Sequence, residues 1–151
     1  MTTYSFLSVQ ATLRGPGGVI QLGSGSGAAE EGISIDMIED KDGMTIGAGG
    51  EIMHSLRASN AGTVTIRLLK TSPLNAALSN LYNFQKSSPA NWGQNSLIVS
   101  DTYRGDVITG NTMAFNRQAP VTYSKDGTTM EWKFQGNVQD LLGTGVPDAS
   151  V

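Results

Sequence analysis

Between Thr63 and Gln85 the chain reads TVTIRLLKTSPLNAALSNLYNFQ, and its apolar period changes at TSP. Before TSP, Val64, Ile66 and Leu68 alternate with Thr63, Thr65 and Arg67, the period of a strand with one buried face. After it, Leu74, Ala77, Leu78, Leu81 and Tyr82 recur at i, i+3, i+4, i+7 and i+8, one stripe of an α-helix. Ser72 suits the N-cap and Pro73 the first helical position, where its missing N–H costs nothing. A strand therefore feeds directly into a helix, and the helix stripe must cover an open face or end of a sheet.

The rest of the chain reads as short strands and turns. YSFLSVQATL at 4–13 is a first strand, GPGG at 15–18 a tight turn and VIQL a return strand. GSGSGAAEEG at 23–32 is a flexible loop. ISIDMIE at 33–39 alternates with Ile33, Ile35 and Met37 on one face, and EDKDGMTIGAGGE at 39–51 is a long connection with little strand character. IMHSLR at 52–57 and the strand at 63–68, joined by a SNAG turn, are expected to form a hairpin. SSPANWGQN at 87–95 is a loop, LIVSD at 97–101 a strand and TYRGD a turn. MAFNR and VTYS lead to KDGT at 125–128, a type I′ hairpin signal. In MEWKFQGNV, Met130, Trp132, Phe134 and Val138 point inward, with Glu131, Lys133, Gln135 and Asn137 outward. The tail, from about residue 139, is an arm that orders on contact. The expectation is a single domain over 1–151: mainly β, an antiparallel sandwich or barrel of roughly seven to nine short strands, with one flanking helix at about 73–85.

Composition narrows the surroundings. Of 151 residues only 15% are charged and 19 are glycine, against about 25% charged and about 7% glycine in ordinary soluble domains. A surface so poor in charge repels its own copies weakly. Either it is covered by other copies of the chain, or the chain is a neutral, loop-rich monomer. Residues 1–51 hold seven acids and two bases, Arg14 and Lys41, whereas 52–151 hold six acids and eight bases. Such an asymmetry fits faces that dock head to tail. The net charge of −3 argues against non-specific adhesion to nucleic acid. There is no Cys, so disulfides and thiolate metal sites are excluded. No run approaches about 20 apolar residues, so no membrane span is expected. The first residues carry neither a charged n-region nor an apolar h-region, which points away from a signal peptide and to a cytosol.

Catalytic chemistry finds no purchase. His54 is the only histidine; on an alternating face with Ile52 and Leu56 it reads as a packed or hydrogen-bonded structural residue rather than a base. Without a second His or any Cys, a catalytic zinc lacks ligands. Gly23, Gly25 and Gly27 fit neither the dinucleotide nor the P-loop spacing. Asp36, Glu39, Asp40 and Asp42 do not reproduce a calcium loop; lying in a polar stretch, they lack the apolar pocket that raises a general acid. Arg104-Gly105-Asp106 reads as a turn between strands. Trp92 alone among the aromatics has no obvious inward partner: an interface anchor, a ring tucked under its own loop, or the contact of a glycan site. No catalytic residue, cofactor or metal is expected.

MHSLRASNAGTVTIRLLKTSPLNAALSNLYNFQ, with RGDVITG, AFNRQAP and YSKDGTTMEWKFQG after it, resembles the tail tube proteins of contractile-tailed bacteriophages, from the first strand to about Val138. The resemblance implies a structural virion protein of the tail, assembled in the host cytoplasm. Its copies would form hexameric rings stacked into a hollow tube inside a sheath, through which DNA passes without specific binding. Sheath, baseplate and terminator proteins would be its partners, and the needle protein of type VI secretion is similar in fold. Under this reading the 39–51 connection reaches the adjacent ring, with Met44 and Ile46 as apolar anchors and Asp40, Lys41 and Asp42 as charged contacts. Asp36, Glu39 and Glu131 are the expected lumen residues, because a wall poor in Lys and Arg lets phosphates slide. The alternatives are a monomeric sandwich-type binding module, for instance for glycans with Trp92 as contact, or a tube terminator or secretion needle on the same fold.

Overall fold

A computed structural model describes residues 4–23 and 28–143. Its elements run β1 (Val9–Gly15), β2 (Gly18–Gly23), β3 (Ala28–Met37), β4 (Asp42–Ile46), β5 (Ile52–Leu56), β6 (Ala61–Leu69), α1 (Leu74–Gln85), β7 (Asn95–Asp101), β8 (Asp106–Phe115) and β9 (Thr129–Leu141), after a short 3-10 turn at Phe6–Ser8. Seven strands form one antiparallel sheet in the order β2-β1-β7-β8-β9-β6-β3, and β4 and β5 form a separate pair. The sheet coils until its outer strands, β2 and β3, lie beside each other. The fold is mainly β, a sandwich-like coiled sheet with one flanking helix, as the periodicities require.

One apolar cluster fills the inside of the coil. It takes Val9, Ala11 and Leu13 from β1, Val64, Ile66 and Leu68 from β6, Leu97 and Val99 from β7, Met113 and Phe115 from β8, and Met130, Trp132, Phe134 and Val138 from β9. Leu78 and Leu81 of α1 join it, with Leu74, Ala77 and Tyr82 partly covered, so the helix stripe closes one side. Ser72 Oγ accepts from the Leu74 N–H at 3.3 Å, and Pro73 has φ −66°; the capping chemistry is the expected one, with the helix starting one residue later.

Two buried amides tie the helix down. At its N-terminal end Asn75 Oδ1 accepts from Trp132 Nε1 at 3.1 Å, and Asn75 Nδ2 donates to the Leu69 carbonyl at 2.9 Å. At its C-terminal end Gln85 Nε2 donates to Asn95 Oδ1 at 2.7 Å, Asn95 Nδ2 donates to Gln85 Oε1 at 2.8 Å, and Gln85 also reaches the Pro16 carbonyl. This pair needs Gly15, where a β-carbon would sit 1.9 Å from Asn95 Oδ1. A buried amide that loses its partner carries its whole desolvation penalty. We expect Asn95→Ala to lower the unfolding free energy by about 2–3 kcal/mol in urea titrations of dilute protein; a loss under about 0.5 kcal/mol would mean that water replaces the partner.

Several sequence expectations are corrected. The 39–51 connection contains β4, which pairs with β5 from Asp42↔Leu56 to Ile46↔Ile52. The 52–57 strand therefore does not form a hairpin with 63–68: β6 lies between β3 and β9, with Val64 opposite both Ile35 and Phe134. VTYS is not a strand. Residues 116–128 form a connection without helix or strand, held where Lys70 donates to the Thr122 carbonyl and lies over the Tyr123 ring. KDGT thus makes no two-residue hairpin, although β8 and β9 pair directly. β8 bulges between Asn111 and Ala114, with Thr112 at φ +50°, and Met113 Sδ packs where β-carbons at Gly110 and Gly136 would stand. β9 runs on to Leu141, past the expected start of the arm. The remaining arm residues 144–151, and 24–27 of the glycine-rich loop, lie outside the described residues.

The Arg104-Gly105-Asp106 turn is built around Asp101. Its carboxylate accepts from Ser8 Oγ at 2.8 Å and from the Tyr103 and Arg104 N–H groups at 3.1 and 3.2 Å. The Ser8 hydroxyl, then these two N–H groups and the Arg104 charge, hold the carboxyl below its ordinary value, against the opposing effect of burial. A carboxyl lowered by folding stabilises above its unfolded value of about 3.9. That contribution fades as pH falls through the lower folded value. Asp101→Asn should therefore be less stable than wild type at neutral pH, with the gap narrowing below about pH 4 in acid melts; a constant gap would exclude the linkage.

Candidate functional site

The β4–β5 hairpin stands apart from the coiled sheet: among the described residues neither strand has a ladder partner except the other. Gly47 N donates to the Glu51 carbonyl at 2.7 Å and Gly50 N to the Gly47 carbonyl, closing the turn, with Gly50 at φ +89°. The base is clamped. Arg57 N donates to the Lys41 carbonyl at 2.9 Å, Lys41 Nζ donates to Ser59 O and Asn60 Oδ1, and Arg57 Nη1 donates to the Asp40 carbonyl. Lys41 and the backbone of Asp40 thus root the hairpin.

Beyond that root, the hairpin presents Met44, Ile46, Ile52, Met53 and Leu56, each more than half exposed and Leu56 at 84%. Such side chains normally bury, and a contiguous exposed patch marks an interaction surface. Met44 and Ile46 were expected as anchors. Ile52, Met53 and Leu56 were missed, because 52–57 reads as an ordinary strand whose alternation promises a buried side. His54 is hydrogen-bonded, as expected, but not packed: Nδ1 lies 3.0 Å from Asp42 Oδ2, and the two side chains are 65% and 56% exposed.

The second surface is the outer face of the coiled sheet. Pairing carries Asp36 to Thr63 and on to Gln135, Ser34 to Thr65 and Lys133, and Arg67 to Glu131. Asp36 and Glu131 therefore share this face, while Glu39 is exposed just beyond β3. Glu131 is already paired: Arg67 Nε donates to its Oε1 at 2.9 Å, and Arg67 Nη1 donates to Ser34 Oγ at 2.8 Å. Across β9, β8, β7 and β1 the face continues through Gln135, Asn137, Thr109, Ser100, Gln10 and Thr12. Polar side chains alternate there with exposed apolar ones, Ile98, Val107 and Leu141, and its charge is nearly balanced because Arg14, Arg67 and Lys133 accompany the acids.

Trp92 has an inward partner after all. Its ring stands edge-on to Tyr82, centroids 6.0 Å apart, and Tyr82 stands edge-on to Phe115. The exposed side of Trp92 borders an open pocket with Lys86, Ser88 and Pro89.

A coiled sheet with an uncovered outer face, flanked by a rooted apolar hairpin, offers two surfaces for interaction. The profile of the family described as bacteriophage PhiTE tail tube protein matches residues 1–143. The chain belongs to this family. Its role is structural, in the tail of a virion, and it assembles as an oligomer into a tube. A search of curated proteins returns no match. Among the described residues no helix is long and apolar enough to cross a membrane, and no group of three or more His, Cys, Asp or Glu side chains is placed to hold a metal ion.

Proposed function

We propose that this tail tube protein forms hexameric rings that stack into the inner tube of a contractile tail, through which DNA passes during ejection. The observation that carries this reading is the apolar hairpin, rooted at one end and uncovered along its length, on a subunit of a tube-forming family. In the ring, the open edges β2 and β3 pair with neighbouring protomers, which removes the exposed edges. The hairpin reaches the adjacent ring through Met44, Ile46 and Asp42, with Lys41 and Asp40 fixing its direction. Trp92, at the rim of its pocket, is a candidate anchor between subunits. The outer sheet face with Asp36 and Glu131, together with Glu39, lines the lumen. Its basic groups are balanced by acids, so few counterions are released to passing phosphates and DNA is not retained. Sheath, baseplate and terminator proteins are the expected partners, met in the host cytoplasm during assembly.

Negative-stain microscopy across a concentration series, paired with light scattering, tests the proposal. Rings with six-fold averages and tubes of uniform bore are expected, and tubes should not retain duplex DNA at physiological salt. Strict monomers at every concentration would speak against the tube, a different ring order against the hexamer, and tight DNA binding against the lumen assignment.

A further inference from the structure

The hairpin has two unlike faces. Its register places Asp42, Met44 and Ile46 of β4 with Leu56, His54 and Ile52 of β5 on one side, and Gly43, Thr45, Met53 and Ser55 on the other. The first face carries four apolar side chains, Met44, Ile46, Ile52 and Leu56, and a single polar pair, His54–Asp42, toward its root end. The other charged groups of the hairpin are turned elsewhere. Lys41 donates to Ser59 O and Asn60 Oδ1 at the root, and Arg57 lies over Gly43 on the opposite face. Glu51 folds its carboxylate against Gly47 and Gly49 in the turn. Asp42 is the one charged partner that reaches His54 among the described residues.

We propose that this face, rather than its reverse, docks on a second copy of the chain, and that the His54–Asp42 pair makes the docking proton-dependent. The inference rests on the tube reading above. The partner is a second copy because the family builds tubes, the face is apolar apart from that pair, and only 15% of the chain's residues are charged. A surface so poor in charge suits a face whose one polar pair is hydrogen-bonded to itself.

The proton enters through net charge. When His54 is an imidazolium the pair is neutral overall; when the imidazole is neutral, Asp42 leaves one uncompensated negative charge on the face. Removing a lone carboxylate from water costs more than removing a paired one, so docking favours the protonated pair and takes up a proton. A contact that binds a proton on forming is strongest at low pH and is lost as pH rises. The comparison is therefore made across the range of about pH 5 to 8, in which imidazoles in general change charge.

The threshold concentration for tube formation by the full chain, read by light scattering and microscopy at constant ionic strength, tests this. From about pH 6 to about pH 8 the wild-type threshold should rise by about tenfold to 100-fold, since one coupled proton gives up to tenfold per pH unit. Asp42→Asn leaves an unpaired imidazolium at low pH, so its threshold should fall as pH rises. His54→Gln keeps the lone carboxylate and should behave at both pH values as wild type does at the higher one. Ile52→Asp should prevent tubes and Thr45→Asp, on the reverse face, should not; unchanged melting curves confirm that both variants fold. A flat or falling wild-type threshold, or an Asp42→Asn variant that keeps the wild-type trend, overturns the proton linkage while leaving the tube intact. Normal tubes from Ile52→Asp, with failure only to bind sheath protein, overturn the second copy as partner. Absence of wild-type tubes at every pH removes the tube reading and this inference with it.

Discussion

Trp132→Ala is expected to lower the unfolding free energy by about 4 kcal/mol or more, the largest stability loss from any single truncation in the chain. The side chain is fully buried, and its ring stands edge-on at 6.1 Å to Phe115, the ring at the centre of the aromatic cluster. Emptying such a site costs about 3–5 kcal/mol through lost transfer energy and the cavity left behind. The indole N–H also satisfies Asn75 Oδ1, so truncation strands a buried acceptor at the start of α1, for about a further 1–3 kcal/mol. Against a total stability of about 5–15 kcal/mol, the variant should be largely unfolded at 37 °C or melt well below wild type. Trp132→Phe keeps most of the packing and loses the donor, so it should cost about 1–3 kcal/mol. Urea unfolding of dilute, unassembled protein measures both, because assembly would add its own stabilisation. With only two tryptophans in the chain, a Trp92→Phe variant that keeps Trp132 reports on that side chain directly by fluorescence, and the Trp132 variants are followed by circular dichroism. A cost near 1 kcal/mol for Trp132→Ala would mean that the helix does not close the core as described.

Elements whose periodicity ran long enough were legible. β6, β9 and α1 each repeat their apolar spacing several times, and their inward residues are those of the observed core. β4 was not legible, because DGMTI alternates only across Met44 and Ile46 and carries a glycine at its second position. The signal that might have found it is the glycine-rich turn GAGGE between two short alternating runs, which is a hairpin pattern. The partner of β6 was misjudged for another reason. A short turn makes neighbours in sequence the first choice of partners, but β6 gains more by lying between β3 and β9, where Val64, Ile66 and Leu68 meet Ile33, Ile35, Met130, Trp132 and Phe134. Local spacing holds no record of that competition. Asp-Gly at 126–127 likewise lacks its hairpin, since a I′ turn needs strands on both sides and Val121 and Tyr123 are exposed.

The candidate surfaces divide in the same way. Met44 and Ile46 were legible as apolar residues stranded in a polar stretch. Their partners Ile52, His54 and Leu56 were not, because alternation tells which residues share a face but not whether that face is covered. Lys41 was read as a charged contact; its ammonium donates to Ser59 O and Asn60 Oδ1 at the hairpin root, a long-range pairing that spacing does not reveal. That Asp36 and Glu131 share the outer face depends on β6 lying between their strands, a long-range fact that no window of sequence contains.

Excising the hairpin should separate folding from assembly. Arg57 N and the Lys41 carbonyl are 2.9 Å apart, so residues 42–56 can be replaced by two glycines without stretching the chain. No ladder of the coiled sheet is cut, since β4 and β5 pair only with each other, and the loss of its exposed apolar side chains removes nothing from the core. Melting temperature should stay within a few degrees of wild type, a change of under about 1 kcal/mol. Assembly should respond differently. Full burial of an Ile, Leu or Met side chain stabilises by about 1.5–3 kcal/mol, so half-covering the four on the docking face contributes about 3–6 kcal/mol to each contact. At about tenfold per 1.4 kcal/mol, the threshold concentration for tubes should rise at least about 100-fold, leaving monomers or single rings where wild type forms tubes. Single rings would place the hairpin between rings; monomers alone would place it within the ring as well. Tubes of wild-type length at the wild-type threshold would remove the hairpin from assembly altogether, and a collapse in melting temperature would show that it belongs to the fold rather than to the contact.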